Sequence, residues 1–376
     1  MTASFRLARI VGVDVGVNWS VLVIFMLIAT SLSAGRLPAD YPDHSAWAYG
    51  IAGTSAAVVF FLGLLAHELS HAVVARRNGL SVEGITLWMF GGVARLRGEA
   101  RTPGADLRIA GVGPLVSLLL GVGFGAIAAL LVAAGQDGLV VGTIAWLAGI
   151  NILLAVFNSL PAAPLDGGRI LRAALWRWRG DRTWAAVTAA RAGRVLGALL
   201  IALGFWEFLG GAALSGLWLA LIGWFLVGTA TMEEQGTRLA ATLAGIRVGD
   251  VMSGEPVTVS PDLDVAQLLD GYLWESRHSA FPLTDGGRPV GLITLNRIKA
   301  VPPERRATTR LRDIACPLEE LPIASPDEPI NDLLPRLNQY ADGRALVVDG
   351  DGHLIGIVTP TDISRAVQRA TLIPRP

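Results

Sequence analysis

Two histidines four residues apart lie at positions 64–73, which read Leu-Leu-Ala-His-Glu-Leu-Ser-His-Ala-Val. On a helix, positions i and i+4 share a face, so His67 and His71 would present two imidazoles to one point, as two ligands of one zinc ion must. Glu68 lies roughly 100° around the helix from His67 and would reach a water at that ion without ligating it. The alternative is a chance cluster, or a polar patch that packs helices. The apolar run around these residues, at positions 51–75, disfavours the alternative, because ionisable side chains are costly within hydrocarbon and mark function there.

The composition indicates that much of the chain lies in a membrane. Its mean hydropathy is +0.51, with 52% hydrophobic and only 16% charged residues. A length of 376 residues is too great for one packed bundle, so two or more domains are expected. Residues 1–245 carry 17 Lys and Arg against 13 Asp and Glu, and residues 246–376 carry 14 against 18, so neither part suggests a nucleic-acid partner. The single cysteine, Cys316, excludes an internal disulfide and fits a reducing compartment for the C-terminal part.

Six apolar segments are each close to the ~20 residues that are needed to cross hydrocarbon. They cover about residues 15–33, 50–75, 107–134, 139–160, 195–209 and 214–230. Arginines concentrate before the first segment, between the second and third, and between the fourth and fifth, whereas only Arg36 lies on the opposite side. The positive-inside rule therefore predicts a multi-pass protein of the cell membrane with both termini cytoplasmic. His71 lies five residues from Arg76, about 7.5 Å along a helix, so the metal is expected within the membrane near its cytoplasmic surface.

Residues 81–96 carry β-branched and aromatic residues on both sides of Gly91-Gly92, which is typical of a β-hairpin. One interpretation is an interfacial hairpin that is anchored by Trp88 and Phe90. The other is an exposed edge to which an extended peptide adds as a strand, because a transmembrane helix has to be held unwound before it is cut. The glycines of the third apolar segment, at positions 111–125, indicate close helix packing and no chemistry.

A catalytic zinc site needs three protein ligands and an open position, and the two histidines supply only two ligands. Asp166 is the best candidate for the third, because it follows the fourth apolar segment at the cytoplasmic depth of His71. Its alternative role is that of an N-cap for the basic helix at positions 169–179. Glu99 and Asp106 are competing ligands in segments that the sequence suggests are loops.

Two motifs in this order carry a family resemblance. His67-Glu68-x-x-His71, followed by Asn158-x-x-Pro161-x-x-x-x-Asp166-Gly167, resembles the site-2 protease family of intramembrane zinc metalloproteases. The six-span layout is similar to the branch of that family that carries a C-terminal pair of CBS domains.

The resemblance implies a role for each matching residue. The zinc ligands would be His67, His71 and Asp166, the general base Glu68, the oxyanion-stabilising residue Asn158, and the substrate-presenting strand Gly91, Gly92 and Val93. One zinc ion per chain and a transmembrane protein substrate are expected. A plain helix-terminating role is the alternative for Asn158.

From about position 245 the chain repeats itself, with Thr294 and Thr359 as equivalent positions that are 65 residues apart. Each copy is too small to bury a core alone, so the two copies would pack against one another. The pattern resembles tandem CBS domains, which commonly bind adenine nucleotides, and this resemblance implies that Thr359 and Asp362 hold a nucleotide ribose. Copy one has Arg297 in place of the acid, so one nucleotide site or none is expected. The alternative is a dimerisation and docking module.

The sequence therefore predicts a polytopic α-helical membrane protein of about six transmembrane helices with a C-terminal α/β tandem CBS module. The expected divisions are a protease domain at 1–235, a linker at 236–245 and a module at 246–376 with CBS domains at about 246–303 and 310–370. The expected function is intramembrane zinc endoproteolysis, with the CBS pair as a regulatory or homodimerisation module. The alternative is a CBS-gated metal or ion transporter, although such proteins repeat their polar residues in inverted halves and this sequence does not. An inactive scaffold is a third possibility, which the intact Glu68 disfavours.

Overall fold

The computed structural model describes residues 4–89, 91–98, 100–273, 278–339 and 343–372. The chain divides into two compact units, Met1–Thr237 and Arg238–Pro376. The first unit is built from long apolar helices with one small sheet, and the second is built from short strands and helices.

Helices dominate the first unit. They are α1 (Ser20–Ser31), which continues through a π-helical turn at Leu32–Arg36 into α2 (Leu37–Asp40), then α3 (Ala46–Arg77), α4 (Pro103–Ala133), α5 (Leu139–Asn158), α6 (Asp166–Arg179), α7 (Arg182–Leu209) and α8 (Ala213–Thr242). Within the described ranges, six helices are long and apolar enough to cross a membrane: Ser20–Asp40, α3, α4, α5, α7 and α8. The predicted set of six spans is confirmed. α6 is not among them, because its arginines alternate with apolar residues on an amphipathic helix.

Polar side chains and prolines mark the helix starts. The Ser45 hydroxyl accepts a hydrogen bond from the Ala48 N–H ahead of α3, and the Thr102 hydroxyl accepts one from the Ala105 N–H ahead of α4. The Asp181 carboxylate caps α7 in the same way through the Trp184 N–H. These caps satisfy N–H groups that have no partner within the helix.

The sequence placed boundaries of three spans incorrectly. The first span begins at Ser20 and not near position 15, because Val13–Val17 is a strand, β2, whose valines alternate with exposed or small residues. The fifth span begins at Arg182, 13 residues before its predicted start, because an alanine-rich and buried segment extends the helix beyond the most apolar stretch. The last span, α8, also extends to Thr242 and so includes part of the predicted linker.

A four-stranded sheet packs beside α3. Its strands are β1 (Phe5–Ile10), β2 (Val13–Val17), β3 (Ser81–Trp88) and β4 (Gly91–Arg97), in that order across the sheet. β3 and β4 form the predicted antiparallel hairpin, with Leu87 opposite Gly92, and β2 runs parallel to β3. Val13, Ile85 and Leu87 are buried against Ala72 of α3. The hairpin is therefore packed onto the helix that carries the two histidines.

Glycines allow α7 and α8 to approach closely. A Cβ at Gly197 would lie 2.7 Å from the Gly223 carbonyl oxygen, and a Cβ at Gly204 would lie 2.4 Å from that of Gly216. The two glycines on each helix are seven residues apart, which places them on one face of the helix. Small residues at such a contact are the usual basis of helix packing in a membrane.

The described part of the second unit contains two sheets and three clusters of buried hydrophobic side chains. The strands of one sheet are β6 (Ala280–Asp285), β7 (Arg288–Thr294) and β8 (Cys316–Pro317), and those of the other are β5 (Ser253–Gly254), β9 (Ile323–Ala324), β10 (Ala345–Val348) and β11 (Leu354–Val358). The helices are α9 (Val248–Val251), α10 (Val265–Leu268), α11 (Leu295–Lys299), α12 (Leu311–Ile314), α13 (Ile330–Gln339) and α14 (Pro360–Leu372). β5 lies near the start of copy one in the chain but pairs with β11 of copy two. This strand exchange joins the two copies, and the unit is the predicted α/β tandem repeat.

Candidate active site

The structure brings His67, His71 and Asp166 to one point. The Oδ2 atom of Asp166 lies 3.1 Å from Nε2 of each histidine, and the two Nε2 atoms are 3.2 Å apart. Both imidazoles are buried, and 14% of the Asp166 side chain is exposed. Residues that are 95 positions apart in the chain therefore form one cluster of metal-binding groups.

Helix α4 orients both imidazoles. Nδ1 of His71 donates a hydrogen bond to the Ile109 carbonyl oxygen at 2.6 Å, and Nδ1 of His67 is 2.9 Å from the Ser117 hydroxyl. Because a carbonyl only accepts, His71 carries its proton on Nδ1 and presents the lone pair of Nε2 to the cluster. Such contacts fix the ring orientation and the tautomer of metal-ligating histidines.

Gly113 completes this face of α4. A Cβ at position 113 would lie 2.2 Å from Nε2 of His71 and 2.6 Å from Nε2 of His67. The space at the metal-binding atoms therefore exists only because this residue has no side chain. The close packing that the sequence predicted for the glycines of this helix is confirmed at Gly113, where the packed groups are the two imidazoles. The sequence analysis missed this contact, and the available signal was the spacing of Ile109, Gly113 and Ser117 at intervals of four residues.

Asp166 is held by a tightly packed turn between α5 and α6. It is the first residue of α6, and the N-cap is Leu165, so the alternative role of Asp166 as an N-cap is wrong. A Cβ at Gly167 would lie 2.2 Å from the Leu160 carbonyl oxygen, and one at Gly168 would lie 2.2 Å from the Ala163 nitrogen. Its Oδ2 atom faces Nε2 of both histidines, which is the position that a carboxylate oxygen needs to share one metal ion with them.

The competing ligand Asp106 is occupied elsewhere. Its carboxylate is fully buried on α4 and accepts two hydrogen bonds from the Arg172 guanidinium, at 2.8 and 2.9 Å. The other competitor, Glu99, lies outside the described residues. Asp106 is therefore a partner of α6 and not a member of the metal-binding cluster.

Glu68 contacts the hairpin. A Cβ at Gly92 would lie 2.3 Å from Cγ and 2.8 Å from Oε1 of Glu68, so the Glu68 side chain lies directly against the backbone of Gly92. On the opposite side of the hairpin, the Leu87 carbonyl accepts a hydrogen bond from the Asn18 N–H, towards β2. Leu87 and Gly92 are therefore a non-hydrogen-bonded pair of the hairpin, and the Gly92 N–H and C=O point away from β3 to the free edge of the sheet.

The residues next to Gly92 follow from the same register. Gly91 lies opposite Trp88, and Val93 lies opposite Thr86, in the antiparallel pair. The predicted substrate strand is therefore β4, at an edge of the sheet that no other described strand covers.

Asn158 is not in contact with the metal-binding cluster among the described hydrogen bonds. It is half-buried at the end of α5, and its amide nitrogen donates to the Leu154 carbonyl oxygen at 3.1 Å. The oxyanion-stabilising role of Asn158 stays a prediction, and the second N–H of its amide group is not used by this bond.

The three clustered side chains fit a zinc ion. Two imidazole nitrogens and one carboxylate oxygen are a donor set that zinc uses in catalytic sites, and ligand atoms at ~2.0 Å in a tetrahedral site are roughly 3.3 Å from one another. The observed separations of 3.1 to 3.2 Å agree with this geometry. The absence of a side chain at Gly113 provides the room.

Comparisons with known proteins identify a family for each unit. The family model of peptidase family M50 matches residues 55–135 and 127–203, and that of the CBS domain matches residues 248–303 and 311–369. The putative zinc metalloprotease Rip3 of Mycobacterium tuberculosis is 46% identical over 369 residues, which are 98% of this chain and 93% of the relative. The chain belongs to peptidase family M50, the site-2 proteases.

Two further matches come from the archaeon Methanocaldococcus jannaschii. One of its zinc metalloproteases is 28% identical over 369 residues, 98% of this chain and 97% of the relative. The solved structure of its site-2 protease is 25% identical, covers 61% of this chain and 94% of that chain, and has a TM-score of 0.42. The family M50 matches support metalloprotease activity with Zn²⁺ as the cofactor, and the CBS matches identify the second unit of this M50 protease as a CBS-domain pair.

The two CBS copies differ at the predicted nucleotide position. The Asp362 carboxylate of copy two accepts hydrogen bonds from the Thr359 N–H at 2.9 Å and from the Ser253 hydroxyl at 2.9 Å, and it is 5% exposed. In copy one the buried Thr294 hydroxyl has no hydrogen-bond partner among the described residues, and Arg297 donates to the Ile314 carbonyl oxygen. Only copy two therefore carries a carboxylate at this position.

Proposed function

We propose that this M50 protease hydrolyses a peptide bond within a transmembrane segment of a protein substrate. The observation that carries the proposal is the position of Glu68, which neighbours the cluster of His67, His71 and Asp166 and whose side chain lies against Gly92 of the edge strand. The base, the metal-binding cluster and the free strand edge therefore lie together beside α3, which is apolar enough to span a membrane.

His67, His71 and Asp166 would hold the zinc ion. When bound, zinc supplies a Lewis acid that polarises the peptide carbonyl and activates a water molecule for attack. His71 can ligate through Nε2 because its Nδ1 proton is committed to the Ile109 carbonyl. Glu68 accepts the proton of the attacking water and transfers it to the leaving amine, as a general base and then a general acid.

The free edge of β4 suggests how the substrate is held. An extended peptide that adds to this edge would pair with the outward N–H and C=O of Gly92, beside Glu68. Pairing also satisfies the backbone groups of a segment that has left its helix, which is necessary in a medium with little water. Because Gly92 has no Cβ, which would otherwise collide with Glu68, the strand can lie directly against the base.

The first test separates metal binding from proton transfer. Glu68→Gln keeps the three metal-binding side chains and removes the base, so we expect about one zinc per chain and a loss of at least about 100-fold in cleavage of a membrane substrate reconstituted in liposomes. Glu207→Gln, another carboxylate-to-amide change in a candidate membrane helix, is the matched control and should cleave normally. Full cleavage by Glu68→Gln would remove Glu68 from the mechanism.

We also propose that the CBS pair senses an adenine nucleotide at one site, formed around Thr359 and Asp362. Support comes from the orientation of the Asp362 carboxylate by Thr359 and Ser253, and from the lack of an equivalent acid at Arg297. A carboxylate is the kind of acceptor that a ribose hydroxyl needs. The proposal includes the domain division at about residues 235 and 246 and homodimerisation through this module.

Calorimetry on the full chain tests the nucleotide proposal. AMP and ATP should each be titrated into wild type, Asp362→Ala and, as a control for an exposed carboxylate in the same copy, Asp349→Ala. We expect binding of about one nucleotide per chain that Asp362→Ala abolishes and Asp349→Ala retains. Binding that survives Asp362→Ala would place the nucleotide elsewhere.

A further inference from the structure

A buried ion pair joins α4 to α6 beside the metal-binding cluster. Asp106 has no exposed surface, and its two carboxylate oxygens accept hydrogen bonds from Nε and Nη2 of Arg172 at 2.9 and 2.8 Å. Nη2 of Arg169 lies 3.4 Å from the same carboxylate. A bidentate contact between a guanidinium and a carboxylate fixes both distance and orientation.

The two ends of this ion pair are each connected to metal-binding residues by one rigid helix. On α4, Asp106 lies about one turn before Ile109, whose carbonyl orients His71. On α6, Arg169 and Arg172 lie three and six residues after Asp166, which is about one and two turns along the helix. The ion pair therefore sets the position of the helix that carries the carboxylate ligand relative to the helix that orients the imidazoles.

Asp166 comes from a different part of the chain than the two histidines, so its distance from them depends on packing. The turn before α6 restrains it at one end through Gly167 and Gly168. At the other end, the described ion pairs between α6 and α4 are those of Asp106 with Arg169 and Arg172. A buried ion pair is a weak source of stability compared with apolar packing, which points to a geometric role.

We propose that Asp106 is a positioning residue for the metal centre, which holds α6 against α4 so that the Asp166 carboxylate lies within ligating distance of both imidazoles. The proposal rests on the ligand set of the proposed function. Asp106 does not touch the metal or the substrate, and it acts through Arg172 and Asp166. Loss of the pair should weaken zinc binding without removing a ligand.

The test measures zinc affinity of the purified full chain in detergent by competition with a chromophoric chelator. Asp106→Asn removes the charge, and Arg172→Lys keeps a cation but loses the bidentate fork. We expect each to weaken zinc binding by about 10- to 100-fold, as for other groups that orient metal ligands. The visible spectrum of the cobalt-substituted protein should also change in both variants, because it reports the geometry of the ligands.

Glu234→Gln is the matched control. Glu234 is a buried carboxylate on α8 that is paired with Arg194 of α7, and neither helix supplies a proposed ligand. It should leave both the zinc affinity and the cobalt spectrum as in wild type. If Asp106→Asn does not fold, Arg172→Lys decides the question, because Asp106 then keeps a cationic partner.

Zinc affinity within about threefold of wild type in Arg172→Lys or Asp106→Asn, with an unchanged cobalt spectrum, would overturn the proposal. An equal loss in Glu234→Gln would also overturn it, because the effect would then reflect general destabilisation. His67→Ala separates this from failure of the ligand set. If His67→Ala retains zinc, the proposed ligand set itself is wrong. If His67→Ala loses zinc while Asp106→Asn and Arg172→Lys retain it, only the proposed role of Asp106 is refuted.

Discussion

At the scale of residues, the proposed metal centre depends as much on a missing side chain as on the proposed ligands. His67 and His71 share a face of α3, and Gly113 of α4 lies where any Cβ would meet their Nε2 atoms. Ile109 and Ser117 hold the opposite nitrogen of each ring. The residues that orient the histidines therefore come from a helix that contributes no proposed ligand.

Gly113→Ala should abolish or severely weaken zinc binding. The added Cβ would lie 2.2 Å from Nε2 of His71, so either the imidazoles rotate away or α4 moves. Gly111→Ala, two residues earlier on the same helix, is the control because its Cβ would meet nothing within 4 Å. Metal content measured after purification should fall in the first variant and stay as in wild type in the second. Equal zinc content in both would show that the site tolerates a side chain at position 113.

At the scale of elements, close contacts between helices and a sheet edge organise the protease unit. The sheet packs on α3 through Val13, Ile85 and Leu87, and its strand β4 brings Gly92 to Glu68. α6, which does not qualify as a membrane span, begins at Asp166 and is joined to α4 by Asp106. The position of each functional group therefore depends on contacts that its own element makes with a neighbouring element.

The contact between α7 and α8 gives a prediction about stability. Gly197→Ala should destabilise the protein by about 1–3 kcal/mol, because an added Cβ would lie 2.7 Å from the Gly223 carbonyl and overpack the contact. Gly228→Ala on α8 has open space around its Cβ and should be neutral or slightly stabilising. Thermal unfolding in detergent measures both. A lower midpoint for Gly228→Ala than for Gly197→Ala would contradict the packing argument.

At the scale of the whole molecule, an M50 protease unit of six candidate membrane helices is followed by a CBS pair. The arginines at one set of helix ends lead us to propose that both termini and the CBS pair are cytoplasmic. The proposal also agrees with the loops between α4 and α5 and between α7 and α8, which carry no arginine.

Cysteine labelling on intact cells tests this orientation. In a Cys316→Ser background, Gln136→Cys reports on the loop between α4 and α5, and Thr183→Cys reports on the start of α7, and both native residues are exposed. A membrane-impermeant maleimide should label the cysteine at 136 directly and the cysteine at 183 only after permeabilisation. The reverse pattern would mean that the termini are outside.

The sequence by itself determined the helix that carries His67 and His71, the number of candidate spans, the hairpin and the repeat of the second unit. These features are local, because they follow from a period of four residues, from about 20 consecutive apolar residues, and from turn residues between β-branched runs. Asp166 could be predicted as a partner of the histidines only because a zinc site needs a third protein ligand and because of a family resemblance.

Only the tertiary structure decided which polar groups meet. Asp106 and Asp166 are both carboxylates near the ends of helices, and the sequence does not distinguish a ligand from a partner of Arg172. The contact of Gly113 with the imidazoles and that of Gly92 with Glu68 depend on how α4 and the hairpin pack against α3. Packing of distant segments is fixed by the sum of many close contacts, and no local pattern of residues contains that information.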